Sequence, residues 1–331
     1  MPPADPLPAS QTPLLSRRDA LKAAAAAGLA TSLPAAAQTG KLRIAVNWPD
    51  PKRVLRLAHV TDIHLHGRNG SNQALARAYG LINKIEDLDL VVNTGDSVMC
   101  VNNVDRTEAD RQWDLFTTIT NRELEKPVIH AIGNHDLWSW QPPTDEAPMR
   151  GKGMPVDRLE LPDRYYTHPT GRGWTFVVLD SIFGGYTGRL DEAQMTWLAA
   201  ELDRIPDSEY ICVCTHIPII SACGFFDGNR FGQHGWTMPG SWMHEDAAAL
   251  VELFAGHPNV RLCLSGHMHQ VDRIDFRGVA YLCSGAVSAS WWGGKYYQCD
   301  YGFSVVDLLD DGSFRYRYLP YGWTTPEPAG D

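Results

Sequence analysis

A chain of 331 residues with 44% hydrophobic and 21% charged residues has the composition of a globular protein, which excludes a polytopic membrane protein and a disordered chain. Its length suits one large α/β domain with insertions. With 29 Lys and Arg against 39 Asp and Glu the net charge is −10, a poor footprint for long nucleic acid or anionic lipid, so a phosphate-bearing substrate would need its charge met locally.

The first segment reads as an address. Ser16-Arg17-Arg18-Asp19-Ala20-Leu21-Lys22 precedes an Ala-rich apolar stretch over 23–30 and the small-residue run Ala35-Ala36-Ala37, a pattern that resembles a twin-arginine signal peptide over 1–37. The apolar stretch, about a dozen residues, is short of the ~20 that span a bilayer. It is therefore expected to be removed rather than kept as a stable membrane anchor, with the protein passing through the twin-arginine export machinery to the periplasm or the medium. A lead-in over 38–50, a domain over 51–320 and a tail over 321–331 complete the expected division.

Apolar, strand-like runs at 55–61, 88–94, 127–132, 175–179, 210–215 and 260–265 alternate with helical-period segments at 72–86, 110–122, 191–204 and 245–254. That alternation predicts an α/β core. After Gly266 come short strand candidates at 271–276, 279–284, 303–307 and 314–319, with Asp310-Asp311-Gly312 as a hairpin turn; they predict a second, antiparallel sheet. Two long segments bearing Gly, Pro and Trp, 137–164 and 218–242, break the rhythm, and loops of that length are uncommon unless functional. The seven cysteines show no Cys-x-x-Cys spacing, so neither a disulfide framework nor a thiolate zinc site is implied. Cys212 and Cys214, inside an apolar run, read as small buried hydrophobes.

Chemistry-bearing residues follow five of the strand-like runs: Asp62-Ile63-His64, Gly95-Asp96, Gly133-Asn134-His135-Asp136, Thr215-His216 and Gly266-His267-Met268-His269. In an α/β sheet the crevice beyond the carboxyl ends of the strands collects such residues from distant parts of the chain. Two Asp, one Asn and four His besides His135 mix carboxylate and imidazole donors, which suit divalent first-row metals such as Mn, Fe or Zn. Seven ligands exceed what one ion takes, and two ions sharing a carboxylate fit better. Singly each piece is weak, since Asp-x-His and Gly-Asp are often turns or caps. Gly-His-x-His is stronger, because alternate residues of an extended segment point the same way.

The ordered set resembles the calcineurin-like metallophosphoesterase superfamily, over residues 55–319. The resemblance implies the metallo-dependent phosphatase fold, a four-layer αββα sandwich of two mixed sheets flanked by helices, with a dinuclear centre of divalent or mixed-valence ions. Motif by motif, it implies Asp62, His64, Asp96 and His269 around the first metal, and Asp96 as bridge with Asn134, His216 and His267 around the second. His135 would contact the phosphate or protonate the leaving oxygen. Two metals roughly 3.5–4 Å apart would clamp the phosphoryl oxygens and make a bridging hydroxide available for in-line attack, and the acidic surface would cease to matter.

Departures within the superfamily narrow the substrate. Purple acid phosphatases carry a Tyr three residues after the bridging Asp, where this chain has Met99; protein phosphatases of the calcineurin type have Val-Asp-Arg-Gly after Gly-Asp, where this chain has Ser97-Val98-Met99-Cys100. The pattern is more similar to class III cyclic-nucleotide phosphodiesterases and related bacterial phosphodiesterases. A small phosphate-ester substrate, first a diester, is expected. The alternative is an exported phosphomonoesterase with the same centre; a non-catalytic binding module ranks lower, since Asn134 and His135 are both present. Around the motifs, His66, Arg68 and Asn69 read as a solvated turn more than as substrate contacts. Asn102 and Asn103 read equally as loop-turning or site-lining, and Trp291 and Trp292 equally as core or substrate wall, with Gln233-His234-Gly235-Trp236 a further aromatic wall candidate.

Overall fold

Leu57 and Val92 are buried on one face of their strands while Ala58 and Val91 are buried on the other, and strands apolar on both faces must be covered on both. The computed structural model that shows this describes residues 50–326 apart from 142, 143, 145, 146 and 229; the signal peptide read over 1–37 and the lead-in to residue 49 lie outside the described residues. Along the chain run β1 (Arg53–Val60), α1 (Ser71–Ile82), β2 (Leu90–Asn93), α2 (Arg106–Glu123), β3 (Val128–His130), α3 (Gly153–Arg158), β4 (Tyr166–Pro169) and β5 (Trp174–Val178). There follow α4 (Glu192–Arg204), β6 (Tyr210–Cys214), α5 (Ala247–Ala255), β7 (Val260–Ser265), β8 (Asp272–Phe276), β9 (Val279–Cys283), β10 (Gly302–Leu309) and β11 (Phe314–Pro320).

Two mixed sheets result, ordered β11-β10-β1-β2-β3 and β8-β9-β7-β6-β5-β4. Their inner faces meet in one core, where Leu57, Val92, Val306 and Leu308 pack with Phe176, Val178, Cys212, Leu264 and Leu282. The outer face of the first sheet buries Ala58, Val60 and Val91 against Leu75, Tyr79, Trp113 and Phe116 of α1 and α2. On the far side, Val177, Ile211 and Val213 pack on Leu198, Leu202, Leu250 and Phe254 of α4 and α5. This is the four-layer αββα arrangement. All seven cysteines are free thiols and all but Cys100 are buried, Cys212 and Cys214 within the inter-sheet core.

The separate antiparallel sheet expected after Gly266 does not form. Instead β8–β9 closes one end of the second sheet, with β9 parallel to β7 and antiparallel to β8, and β10–β11 extends the first, with β10 antiparallel to β1. Burial decides the placement. Every residue of β9 is buried, and β10 is buried at six of eight positions, whereas β8 and β11 alternate with exposed residues. The two-sided strands must therefore be interior and the one-sided strands serve as edges. Residues 321–326, read as tail, pack on the domain: Tyr321 is buried and its hydroxyl donates to the Val287 carbonyl at 2.7 Å.

The long 137–164 segment contains α3 and is pinned to the second sheet through Asp180, whose side chain is fully buried. Lys152 Nζ lies 2.5 Å and Arg164 Nη1 2.8 Å from its Oδ2, and Arg164 reaches Asp191, the N-cap of α4, at 2.5 Å. Removing one member of a buried ion cluster leaves the others uncompensated. Asp180→Ala is expected to destabilise the fold by about 3 kcal/mol, the low end for buried clusters because both cations keep some solvent. Chemical denaturation measures it, and a loss under about 1 kcal/mol would show that the insertion is held by its apolar contacts alone.

Candidate metal centre

Each of β1, β2, β3, β6 and β7 ends in a turn that delivers the chemistry-bearing residues. Backbone bonds stitch the turns together: Asp62 N donates to Gly95 O and His64 N to Asp96 O, both at 3.0 Å, and Gly266 N donates to His216 O at 3.0 Å. The backbone is left-handed at Asp62, His64, Asp96, His267 and His269, with φ between 47° and 67°, a conformation that costs a non-glycine residue about 1–2 kcal/mol. Strain of this kind concentrates at functional sites. Glycine is obligatory for packing at three positions in these turns, Gly95 among them, where a Cβ would strike the Gly133 backbone. A Cβ on Gly133 would strike Asp96, and one on Gly266 would strike Thr61 Oγ1 and Asp62 Oδ2.

The side chains converge as two groups that share no residue, joined by a third made of His64, Asp96 and His135. Asp62, His64 and His269 form one, with His64 Nε2 3.1 Å from His269 Nε2 and His269 Nε2 3.2 Å from Asp62 Oδ1. Asp96, His216 and His267 form the other, with His216 Nε2 3.2 Å from Asp96 Oδ2 and 3.1 Å from His267 Nδ1, while Asn134 Oδ1 lies 3.0 Å from His216 Nε2. Asp96 Oδ2 is also 3.6 Å from His64 Nε2, so one carboxylate oxygen faces both groups. His135 stands at the margin, its Nε2 4.0 Å from Asp96 Oδ2 and its side chain 25% exposed. All eight residues singled out from the sequence are therefore brought together.

The outer nitrogen of each ring sets its tautomer. His216 Nδ1 donates to Thr94 O at 2.9 Å, His269 Nδ1 to Ala289 O at 2.5 Å and His267 Nε2 to Ser241 O at 2.7 Å. A carbonyl only accepts, so the opposite nitrogen of each ring carries a free lone pair aimed inward. Asp62 Oδ2 accepts from Thr61 Oγ1 at 2.7 Å and from His267 N at 2.8 Å, yet Oδ1 is buried with no hydrogen-bond donor among the described residues. A buried carboxylate oxygen in that state, among inward lone pairs, fits a cation.

Electrostatics agree with that arrangement. Burial opposes ionisation of Asp62 and Asp96, but the imidazoles of His269 and His64 around the former, and of His216, His135 and His64 around the latter, hold both well below the usual carboxylate range. Burial pushes His64 and His267 down to about 4, which keeps them neutral. For His216 burial works against the charge, yet Asp96 and Asp62 raise it to about 9; a cation held by those carboxylates would take over that pull and leave the inner nitrogen free to ligate.

Supporting residues were harder to read. Asp136, quoted within its motif without a role, accepts from the backbone N–H groups of Gly133, Asp96 and Ser97 at 2.8–3.0 Å and so staples two turns together. Asn102 is a loop-holder, donating to Asn134 O and Leu137 O at 2.8 Å, while Asn103 is exposed. Arg68 and Asn69 are exposed, as a solvated turn requires. Ser241 lies one residue before the end of the 218–242 loop, whose length alone marked it. Trp292 is fully buried and its Nε1 donates to His64 O at 2.9 Å. Trp291 is 36% exposed and lies over His269, ring centroids 4.2 Å apart. One tryptophan is core and the other is wall. Trp236 is exposed, against Phe225 and Phe231.

A model of the calcineurin-like phosphoesterase family matches residues 55–271. The chain is 26% identical over 241 residues to the 3',5'-cyclic adenosine monophosphate phosphodiesterase CpdA of Escherichia coli, covering 70% of this chain and 75% of that protein. It is 25% identical over 278 residues to the CpdA of Haemophilus influenzae, covering 80% and 89%. Among solved structures, a dimetal phosphatase from Danio rerio superposes with a TM-score of 0.56 at 16% identity, over 82% of this chain and 100% of that one. GAP50, the anchor in the inner membrane complex of Plasmodium, superposes with a TM-score of 0.51 at 16% identity, over 81% and 85%. At these identities the structural likeness is one of fold.

Thr61→Val keeps the shape of the side chain but removes the hydroxyl that orients Asp62. It is expected to weaken divalent-metal binding by about 10–100-fold, the usual cost of losing an orienting bond behind a ligand, with the circular dichroism spectrum unchanged. Calorimetric titration with Mn checks it; unaltered affinity would show that His267 N alone positions the carboxylate.

Proposed function

The chain belongs to the calcineurin-like phosphoesterase family and is a metallophosphoesterase, and we propose that it hydrolyses phosphodiesters at a centre of two divalent ions such as Mn, Fe or Zn. In this reading Asp62, His64 and His269 hold one ion, Asn134, His216 and His267 the other, and Asp96 is shared. Two ions bound there supply positive charge to the phosphoryl oxygens and the acidity that makes water nucleophilic near neutral pH. The protein's own part is orientation. Inward lone pairs are fixed by the carbonyls of Thr94, Ala289 and Ser241, and Asp136 holds the turns that carry Asp96 and Asn134.

His135 is the proton donor in this scheme. Its Nδ1 donates to Met99 O at 2.7 Å, which leaves Nε2 free at the margin of the centre. Burial opposes its charge, but Asp96 above all, with Cys100 and the Met99 carbonyl, outweighs burial and raises it to about 10; in the protonated form the ring would hand its proton to a departing alkoxide.

The observation that carries a diester over a monoester is the likeness to the two CpdA proteins across most of their length. Export belongs to the same proposal and rests on Arg17-Arg18 and the Ala-rich stretch behind them.

The metal-loaded protein is expected to hydrolyse a 4-nitrophenyl diester in preference to 4-nitrophenyl phosphate, with activity lost to excess chelator and restored by Mn or Zn. A monoester preference would replace the diesterase reading with the phosphatase one. His135→Ala should retain its metals and slow turnover by roughly 10²–10⁴-fold; a full-rate variant removes His135 from the mechanism. Asp96→Asn should lower metal content at both positions, and a chain that still holds both ions at full rate would refute the shared carboxylate.

A further inference from the structure

We propose that Trp291 determines specificity at this centre, by giving the substrate's organic group a flat apolar wall, and that the preferred esters carry a planar ring rather than a small polar headgroup beside the phosphorus. The inference rests on the dinuclear reading above and deepens it.

The indole lies over His269 with centroids 4.2 Å apart and is 5.7 Å from the ring of His64, so it borders the first group of ligands directly. Yet it is 36% exposed, which leaves ring surface open beside the place where a phosphoryl group would be held. The neighbouring Trp292 has no such freedom, being fully buried and bonded to His64 O.

The backbone holds this indole in place at a cost. Ala289, Trp291 and Trp292 have φ of 48°, 48° and 69°, conformations that are genuine outliers for bulky residues. The strap is clamped to two residues of that first group: Ser288 Oγ donates to Asp62 O at 2.7 Å, and Ala289 O accepts from His269 Nδ1. From outside, Tyr296 sits edge-on to the indole at 5.6 Å, and its hydroxyl donates to Asp227 of the 218–242 loop at 2.9 Å. A wall fixed by the same bonds that orient Asp62 and His269 stands beside the residues that would hold the first ion. A planar ring stacked on it gains about 0.5–1.5 kcal/mol beyond area burial, which a methyl or a hydrated headgroup does not.

The test uses the full, metal-loaded chain and two probe pairs. In the first, 4-nitrophenyl phenyl phosphate is compared with 4-nitrophenyl methyl phosphate, which share a leaving group and differ in the retained substituent. In the second, phenylphosphonate is compared with methylphosphonate by calorimetry, which needs no turnover. The wild-type chain is expected to favour the phenyl member of each pair. Trp291→Ala should cut that preference by about three- to tenfold, Trp291→Phe should retain most of it, and both variants should keep two ions per chain. A wild-type chain with no phenyl preference overturns the proposal. So does a preference that survives in Trp291→Ala, whether or not both rates fall in parallel, since a ring that merely props His269 would slow both substrates alike. Hydrolysis of neither diester by the wild-type chain would sink the diesterase reading and leave the role of Trp291 to be decided by the phosphonate pair.

Discussion

Two buried carboxylates, Asp62 and Asp96, set the terms for the carboxyl edge of both sheets. Taking such groups out of water is expensive unless they are paired and hydrogen-bonded. Here the compensation comes from imidazoles and backbone N–H groups rather than from Lys or Arg. It is incomplete, because Asp62 Oδ1 has no donor. The surrounding lone pairs are themselves turned inward by carbonyls behind the rings. The cluster is therefore organised to take more positive charge than its imidazoles supply, which is how a protein of net charge −10 could receive an anionic ester.

Holding that cluster consumes conformational freedom. Five of its residues adopt left-handed backbone, and the turns approach so closely that Gly133 and Gly266 admit no side chain. Asp136 converts the resulting crowding into bonds, its two oxygens accepting from turns after β2 and β3. The αββα layers make this affordable, since strand ends anchored in a continuous inter-sheet core resist the relaxation that strained turns would otherwise undergo.

How much of this was legible in the sequence depended on the range of the signal. Apolar runs followed at once by Asp-x-His or Gly-His-x-His are local patterns, so strands β1, β2, β3, β6 and β7 and the eight site residues could be read directly. Hairpin turns are also local, and the one at Asp310-Asp311-Gly312 was visible, while the other was legible only as two short strand candidates. Which sheet each hairpin joins is a long-range matter, settled by β9 and β10 needing cover on both faces while β8 and β11 did not. Orienting carbonyls such as Ala289 and Ser241 leave no trace in residue type, because any amino acid supplies a backbone oxygen. The Asp180 cluster was hidden for another reason: Lys152, Arg164 and Asp180 lie far apart along a segment with no periodicity.

Trp291 and Trp292 show why composition alone leaves such residues ambiguous. Adjacent tryptophans on an extended segment would point to opposite faces, but here both lie on left-handed backbone within a strap bonded to Asp62 and His269. One ring is thereby driven beneath the His64 carbonyl and the other over the His269 imidazole. The buried ring fixes the strap, and the fixed strap presents the exposed ring. A change at Trp291 then alters what the centre meets without loosening what holds it, whereas a change at Trp292 would disturb the backbone of a ligand. Support and contact are thereby separated in two neighbouring residues, one ring holding the candidate cluster's backbone and the other bordering its imidazoles.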